Sequence, residues 1–156
     1  MSGFASSSGG EVFLQVGGRA PDEVAVLPLS GVGFAVTSNP NTASIVAATQ
    51  LVPADMSLKS VTAALRLTVS PAVDTQVHFQ VYAAPPGVSL SVKADCLAQV
   101  AHDTVVGATV RCEQGALSVP LSRGDRAAIM MRLVSGGDPD AFIALGGPIS
   151  VSLGVS

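Results

Sequence analysis

Across residues 59–70, apolar and polar side chains alternate without a break. Val61, Ala63, Leu65, Leu67 and Val69 fall on one side, and Ser60, Thr62, Ala64, Arg66 and Thr68 on the other. A period of two is the mark of a strand with one face on a core, and a helix, with a period of 3.6, cannot satisfy it. The same alternation recurs in residues 76–82, with Val77, Phe79 and Val81 inward and His78, Gln80 and Tyr82 outward. It recurs in residues 88–93 through Val88, Leu90 and Val92, and in 125–135 through Ala127, Ile129, Met131 and Leu133. In residues 149–156, Ile149, Val151, Leu153 and Val155 oppose Ser150, Ser152, Gly154 and Ser156. Shorter strands are expected at 11–16, 24–29, 32–37, 44–52, 105–112, 117–121 and 141–145, with 43–51 Ala-rich enough to form a helical turn instead.

Turn chemistry punctuates these runs: Gly17-Gly18, Ser30-Gly31, Asn39-Pro40-Asn41, Ala84-Pro85-Pro86-Gly87 and Gly136-Gly137-Asp138-Pro139. Glycine supplies positive φ and proline presets φ for a turn. Many short strands at close turn spacing predict an all-β sandwich or barrel. No internal repeat, Gly-X-Y run or linker interrupts the 156 residues, so one domain is expected, with residues 1–10 as a lead-in.

Composition narrows the function. Charged residues make up 12% of the chain, about half the usual ~25%. The net charge of −3 lacks the basic face that nucleic-acid binding needs. The longest apolar run, 141–149, is broken by Gly146, Gly147 and Pro148 and is too short to cross a bilayer, so no membrane insertion is expected. The first residues, Met1-Ser2-Gly3-Phe4-Ala5, have neither the basic nor the apolar region of a signal peptide. So few charges point to surface hidden in an oligomer, because large apolar patches usually mark interfaces.

A resemblance goes further. Phe4-Ala5-Ser6 leads to Leu29-Ser30-Gly31-Val32-Gly33-Phe34, then to Pro53-Ala54-Asp55-Met56-Ser57-Leu58-Lys59-Ser60-Val61. Val81-Tyr82, Gly107-Ala108-Thr109-Val110 and the 126–133 strand follow, ahead of a terminal Gly/Ser/Val strand. This succession resembles the C-terminal head domain of collagen-like exosporium glycoproteins of spore-forming bacteria, the BclB type. The resemblance implies a jelly roll similar to C1q and tumour necrosis factor, a homotrimer at the tip of a collagen-like stalk, an extracellular place on a spore or bacterial cell surface, and no catalysis. The chain departs from the family's pattern in carrying Cys96 and Cys112 and a longer 95–103 segment.

Two cysteines cannot build a zinc site, and His78 and His102 are too scattered to complete one. Cys96 and Cys112 read either as a disulfide closing a hairpin through the 101–107 turn or as two buried thiols; an extracellular setting favours the bond. Arg123-Gly124-Asp125 is an RGD triplet at a natural turn position. Asp138 and Asp140 flank Pro139 as two hard oxygen ligands, too few alone for Ca²⁺. Asp22-Glu23 reads as a solvated turn in the same way. His102-Asp103 are sequence neighbours on a turn and point apart, and His78 reads as a surface or interface residue.

No G-x-S-x-G, G-x-x-x-x-G-K or H-E-x-x-H occurs, so no catalytic residue, cofactor or metal is expected. The leading expectation is a structural, self-trimerising surface domain. Its threefold axis is expected at either the Val77, Phe79, Val81 row or the Val151, Leu153, Val155 row, with the other row forming the core. The alternative is a lectin-like or receptor-binding adhesion module on the same fold. It is disfavoured because sugars stack on aromatic faces and the chain has no Trp and only Tyr82.

Overall fold

The computed structural model describes residues 11–16, 24–27, 35–37, 49–135 and 143–156. Among them are eleven strands and no helix. The first sheet runs β1 (Glu11–Val16), β11 (Ile143–Val155), β5 (Met56–Arg66), β8 (Thr109–Gln114), with β9 (Val119–Leu121) extending the β8 edge along the start of β5. The second sheet runs β3 (Ala35–Thr37), β2 (Val24–Leu27), β10 (Arg126–Ser135), β6 (Thr75–Ala84), β7 (Ser91–Val100), with β4 (Gln50–Leu51) on the start of β10. Every pairing is antiparallel. The chain passes back and forth between the sheets, so that β11 lies between β1 and β5, and β10 between β2 and β6. Two antiparallel sheets wound in this way are a jelly roll.

The period-2 faces meet in one interior. Leu58, Val61, Ala63 and Leu65 of β5 and Val151, Leu153 and Val155 of β11 pack against Val77, Phe79 and Val81 of β6 and Ile129, Met131 and Leu133 of β10. The two rows considered for a threefold axis therefore face each other across a single core, and none of their six side chains is more than 8% exposed. This corrects the expectation: Val77, Phe79 and Val81 belong to the second sheet, Val151, Leu153 and Val155 to the first, and both point between the sheets. Neither row is left for another chain. A smaller cluster of Val24, Val26, Ala128 and Met130, with Tyr82 and Leu90 against it, lies on the far side of the second sheet.

Three elements differ from the sequence pattern. β11 runs straight through Gly146-Gly147-Pro148, where two strands were expected. The strand changes partner there, from β1 up to Pro148 to β5 from Ile149 onward. Gly147 holds φ at 146°, and a Cβ on it would run into the carbonyl group of Arg66. Only glycine allows that approach.

β7 begins at Ser91 rather than Val88 and continues past 93 to Val100. A bulge opposite Val81 and Tyr82 reverses its parity, leaving Val92 exposed while Ala94, Cys96, Ala98 and Val100 face inward, and Val88 lies exposed in the preceding turn. Residues 105–108 form a loop rather than the start of β8, with Val105 71% and Val106 62% exposed. Between β6 and β7, Val88 N–H donates to Pro85 O at 3.1 Å and Gly87 has φ 79°. With Pro86 before the glycine, these are the residues of a type II turn.

Candidate functional site

The outer face of the first sheet is built from small uncharged side chains along its two central strands. Ser150 pairs with Ala64, Ser152 with Thr62, and Gly154 with Ser60. Thr62, Ser150 and Ser152 are exposed, and Ser60, Ala64 and Gly154 half-buried. A Cβ at Gly154 would meet the Ser60 hydroxyl, so the Ser60 side chain lies over the glycine. Charge flanks this run on β5 itself, where Lys59 and Arg66 are exposed, and returns at the β8 edge, where Arg111 follows Ala64 and Glu113 follows Thr62 in register.

Beside the Val24, Val26, Ala128 and Met130 cluster, the outer face of the second sheet carries a polar row. Along β6, Tyr82 Oη–H donates to Gln80 Oε1 at 2.9 Å, and Gln80 Nε2–H donates to Asp95 Oδ2 at 3.3 Å. His78 Nδ1 lies 3.0 Å from both Asp95 oxygens. A carboxylate only accepts, so His78 donates from Nδ1 and its Nε2 is the open ring atom. Arg132 of β10 sits beside His78 in register. Among the described residues no Ser, Thr or Cys side chain joins this chain of hydrogen bonds.

At the end of the sandwich, Asp74 Oδ1 accepts from His102 N–H and from His102 Nδ1, each at 2.8 Å. Those bonds hold the Asp74 carboxyl below its ordinary value, the backbone donor contributing most. The Asp74 hydrogen bond and then its charge, helped by Asp103, raise His102. Both groups are largely in water, so the pair is a local clasp on the 101–108 loop and contributes little to stability. His102 Nε2 also lies 3.6 Å from Asp103 Oδ2, so the two sequence neighbours do approach.

Cys96 and Cys112 are bonded, with Cα atoms 5.9 Å apart and both side chains buried. β7 and β8 are not a hairpin, as the sequence suggested, but the edge strands of opposite sheets. The bond therefore clips sheet to sheet, and the 101–107 segment carries the chain across. Arg123-Gly124-Asp125 forms a turn: Asp125 N–H donates to Ser122 O, and Asp125 Oδ2 accepts from Ser122 N–H, both at 3.0 Å. That carboxylate is occupied in holding its own turn. Asp138, Asp140, Asp22 and Glu23 lie outside the described residues. Among the described residues no group of three His, Cys, Asp or Glu side chains is placed to hold a metal, and no helix is long and apolar enough to cross a membrane. The Asp95–His78 and Asp74–His102 pairs join residues 17 and 28 apart, and no local pattern in the sequence announces them.

No protein-family model matches the chain, and no curated protein matches it. Among solved structures it is similar to Eiger TNF from S. frugiperda, at 13% identity and a TM-score of 0.47, over 99% of this chain and 93% of that one.

Proposed function

We propose that the chain is a non-enzymatic structural head that assembles as a homotrimer through the outer face of its first sheet. The observation that carries this reading is the run of Ser150–Ala64, Ser152–Thr62 and Gly154–Ser60 pairs, which is small and free of charge at the centre of a sheet. Small side chains let a second sheet or edge approach closely, and removing them from water costs little. The rest of the surface agrees: eight basic and eleven acidic residues over 7642 Å² leave about one charge per 400 Å², sparse for a chain of ordinary composition. Closed threefold symmetry would cover such a face without leaving a patch free to grow a fibre. The resemblance to exosporium heads supplies the finer reading, a head on a collagen-like stalk at a spore or bacterial cell surface.

The test is light scattering coupled to size exclusion, on the wild type and on Ser152→Lys. We expect the wild type near three times 15.6 kDa and the variant, folded by circular dichroism, at a single chain mass. A wild-type mass of one chain that does not change on concentrating overturns the proposal. A Gly-X-Y run upstream in the native gene would support the stalk, and its absence would remove it.

A further inference from the structure

Where β6 begins and β7 ends, the structure opens a cleft of about 410 Å³ lined by Asp74, Thr75, Gln76, Gln99, Val100 and Ala101. Its volume is in the range of sites that take small molecules. Gln76 and Gln99 are direct partners in register on neighbouring strands, so their two amides stand side by side on the sheet surface. Neither amide has a hydrogen-bond partner among the described residues. Asp74 is held by two bonds to the same oxygen, Oδ1, which fixes the carboxylate and leaves Oδ2 open.

The lining excludes most ligand classes. Among the described residues no lysine or arginine lines the cleft, so a phosphate or a carboxylate finds there just the neighbouring His102, already engaged by Asp74. Among the described residues a divalent metal finds one carboxylate where it needs several oxygen ligands. An apolar molecule would strip water from two amides and a carboxylate and return no hydrogen bond to any of them. What matches two donor–acceptor amides beside a fixed acceptor is a row of hydroxyl groups, each able to donate and accept at once.

We propose that this cleft binds a neutral polyhydroxylated ligand the size of one sugar residue, with adjacent hydroxyls shared between Asp74 Oδ2 and the amides of Gln76 and Gln99. The site does not depend on the trimer reading, since it lies on the second sheet and the proposed assembly face lies on the first. It has no aromatic platform, so binding rests on hydrogen bonds that compete with water, and a dissociation constant of the order of 1 mM is expected.

The experiment is a ¹H–¹⁵N NMR titration of the whole labelled chain with methyl glycosides of glucose, galactose and mannose, with N-acetylglucosamine, and with inorganic phosphate as the anionic probe. The expected result is a saturable shift of the Gln76 and Gln99 side-chain amides and of the His102 backbone amide with at least one glycoside and none with phosphate. The double variant Gln76→Ala/Gln99→Ala should keep the dispersed β-sheet spectrum and weaken that binding at least tenfold. No saturable shift with any glycoside, an equal response to phosphate, or binding unchanged in the double variant would each overturn the proposal.

Discussion

Removing the Cys96–Cys112 bond tests how much the link between the two sheets contributes. The bond closes a loop of 16 residues between an edge strand of each sheet. In the chain-entropy model a loop of that length removes about 3 kcal/mol of freedom from the unfolded chain. For a chain of this size each kcal/mol is worth roughly 2–4 °C in Tm, so loss of the bond should lower Tm by about 9 °C. Cys96→Ala/Cys112→Ala adds the loss of two buried sulfurs, so the cleaner comparison is wild type against wild type unfolded, reduced and refolded under reductant. The far-UV β band of circular dichroism reports the melt, at one protein concentration so that any association is held constant. Because both sulfurs are buried, the native chain should resist a reductant that cannot enter and yield only as the sandwich opens. A reduced protein melting within about 2 °C of the oxidised one would refute the account, because a crosslink that restricts the unfolded state must raise Tm by more than that.

Gly147→Ala should destabilise by about 3 kcal/mol or more in denaturant unfolding, because φ 146° is strained for alanine and the new Cβ would run into the Arg66 carbonyl; Gly87→Ala, with open space around φ 79°, should cost only about 1 kcal/mol. Phe79→Ala empties the middle of the core and should cost about 3–5 kcal/mol. His102, raised above its ordinary 6.5, favours folding below about pH 6.5 and loses that contribution as pH rises through its folded value; Asp74, lowered from 3.8, contributes above that pH and loses it as pH falls through its own folded value. NMR titration should therefore find the His102 midpoint above 6.5 in the wild type and returned toward it in Asp74→Asn; an unmoved midpoint refutes the clasp.

The strand faces were legible where large and polar residues alternate, as in β5, β6 and β10, because burial of one face leaves a period no other element produces. β7 was half missed because its inward residues beyond the bulge are Ala94, Cys96 and Ala98, too small to stand out against their neighbours. The break at Gly146-Gly147-Pro148 misled because turn residues within a strand look the same in sequence as turn residues that end one. Partners were less legible than elements. Alternation says which side chains point inward but not which sheet a strand joins, so two core rows could be read as core and interface, and Cys96–Cys112 as a hairpin clip. The polar pairs Asp95–His78 and Asp74–His102 are products of strand register and loop closure, which no local pattern encodes.

The exchange of partners along β11 has a consequence for synthesis. β11 is the strand on which β1 and β5 both lean, yet it is the last of the described strands to leave the ribosome. β5 is complete by residue 66; β8 can cover one of its edges from residue 109, but the strand for its other edge arrives roughly 80 residues later, a delay of about ten seconds at ordinary elongation rates. The second sheet can pair β6 with β7 and β10 in the meantime, while β1 and the β11 side of β5 wait unpaired. Pairings so distant in sequence are slow to form, and a nascent chain stalled before residue 143 would present two strand edges to its neighbours on a polysome.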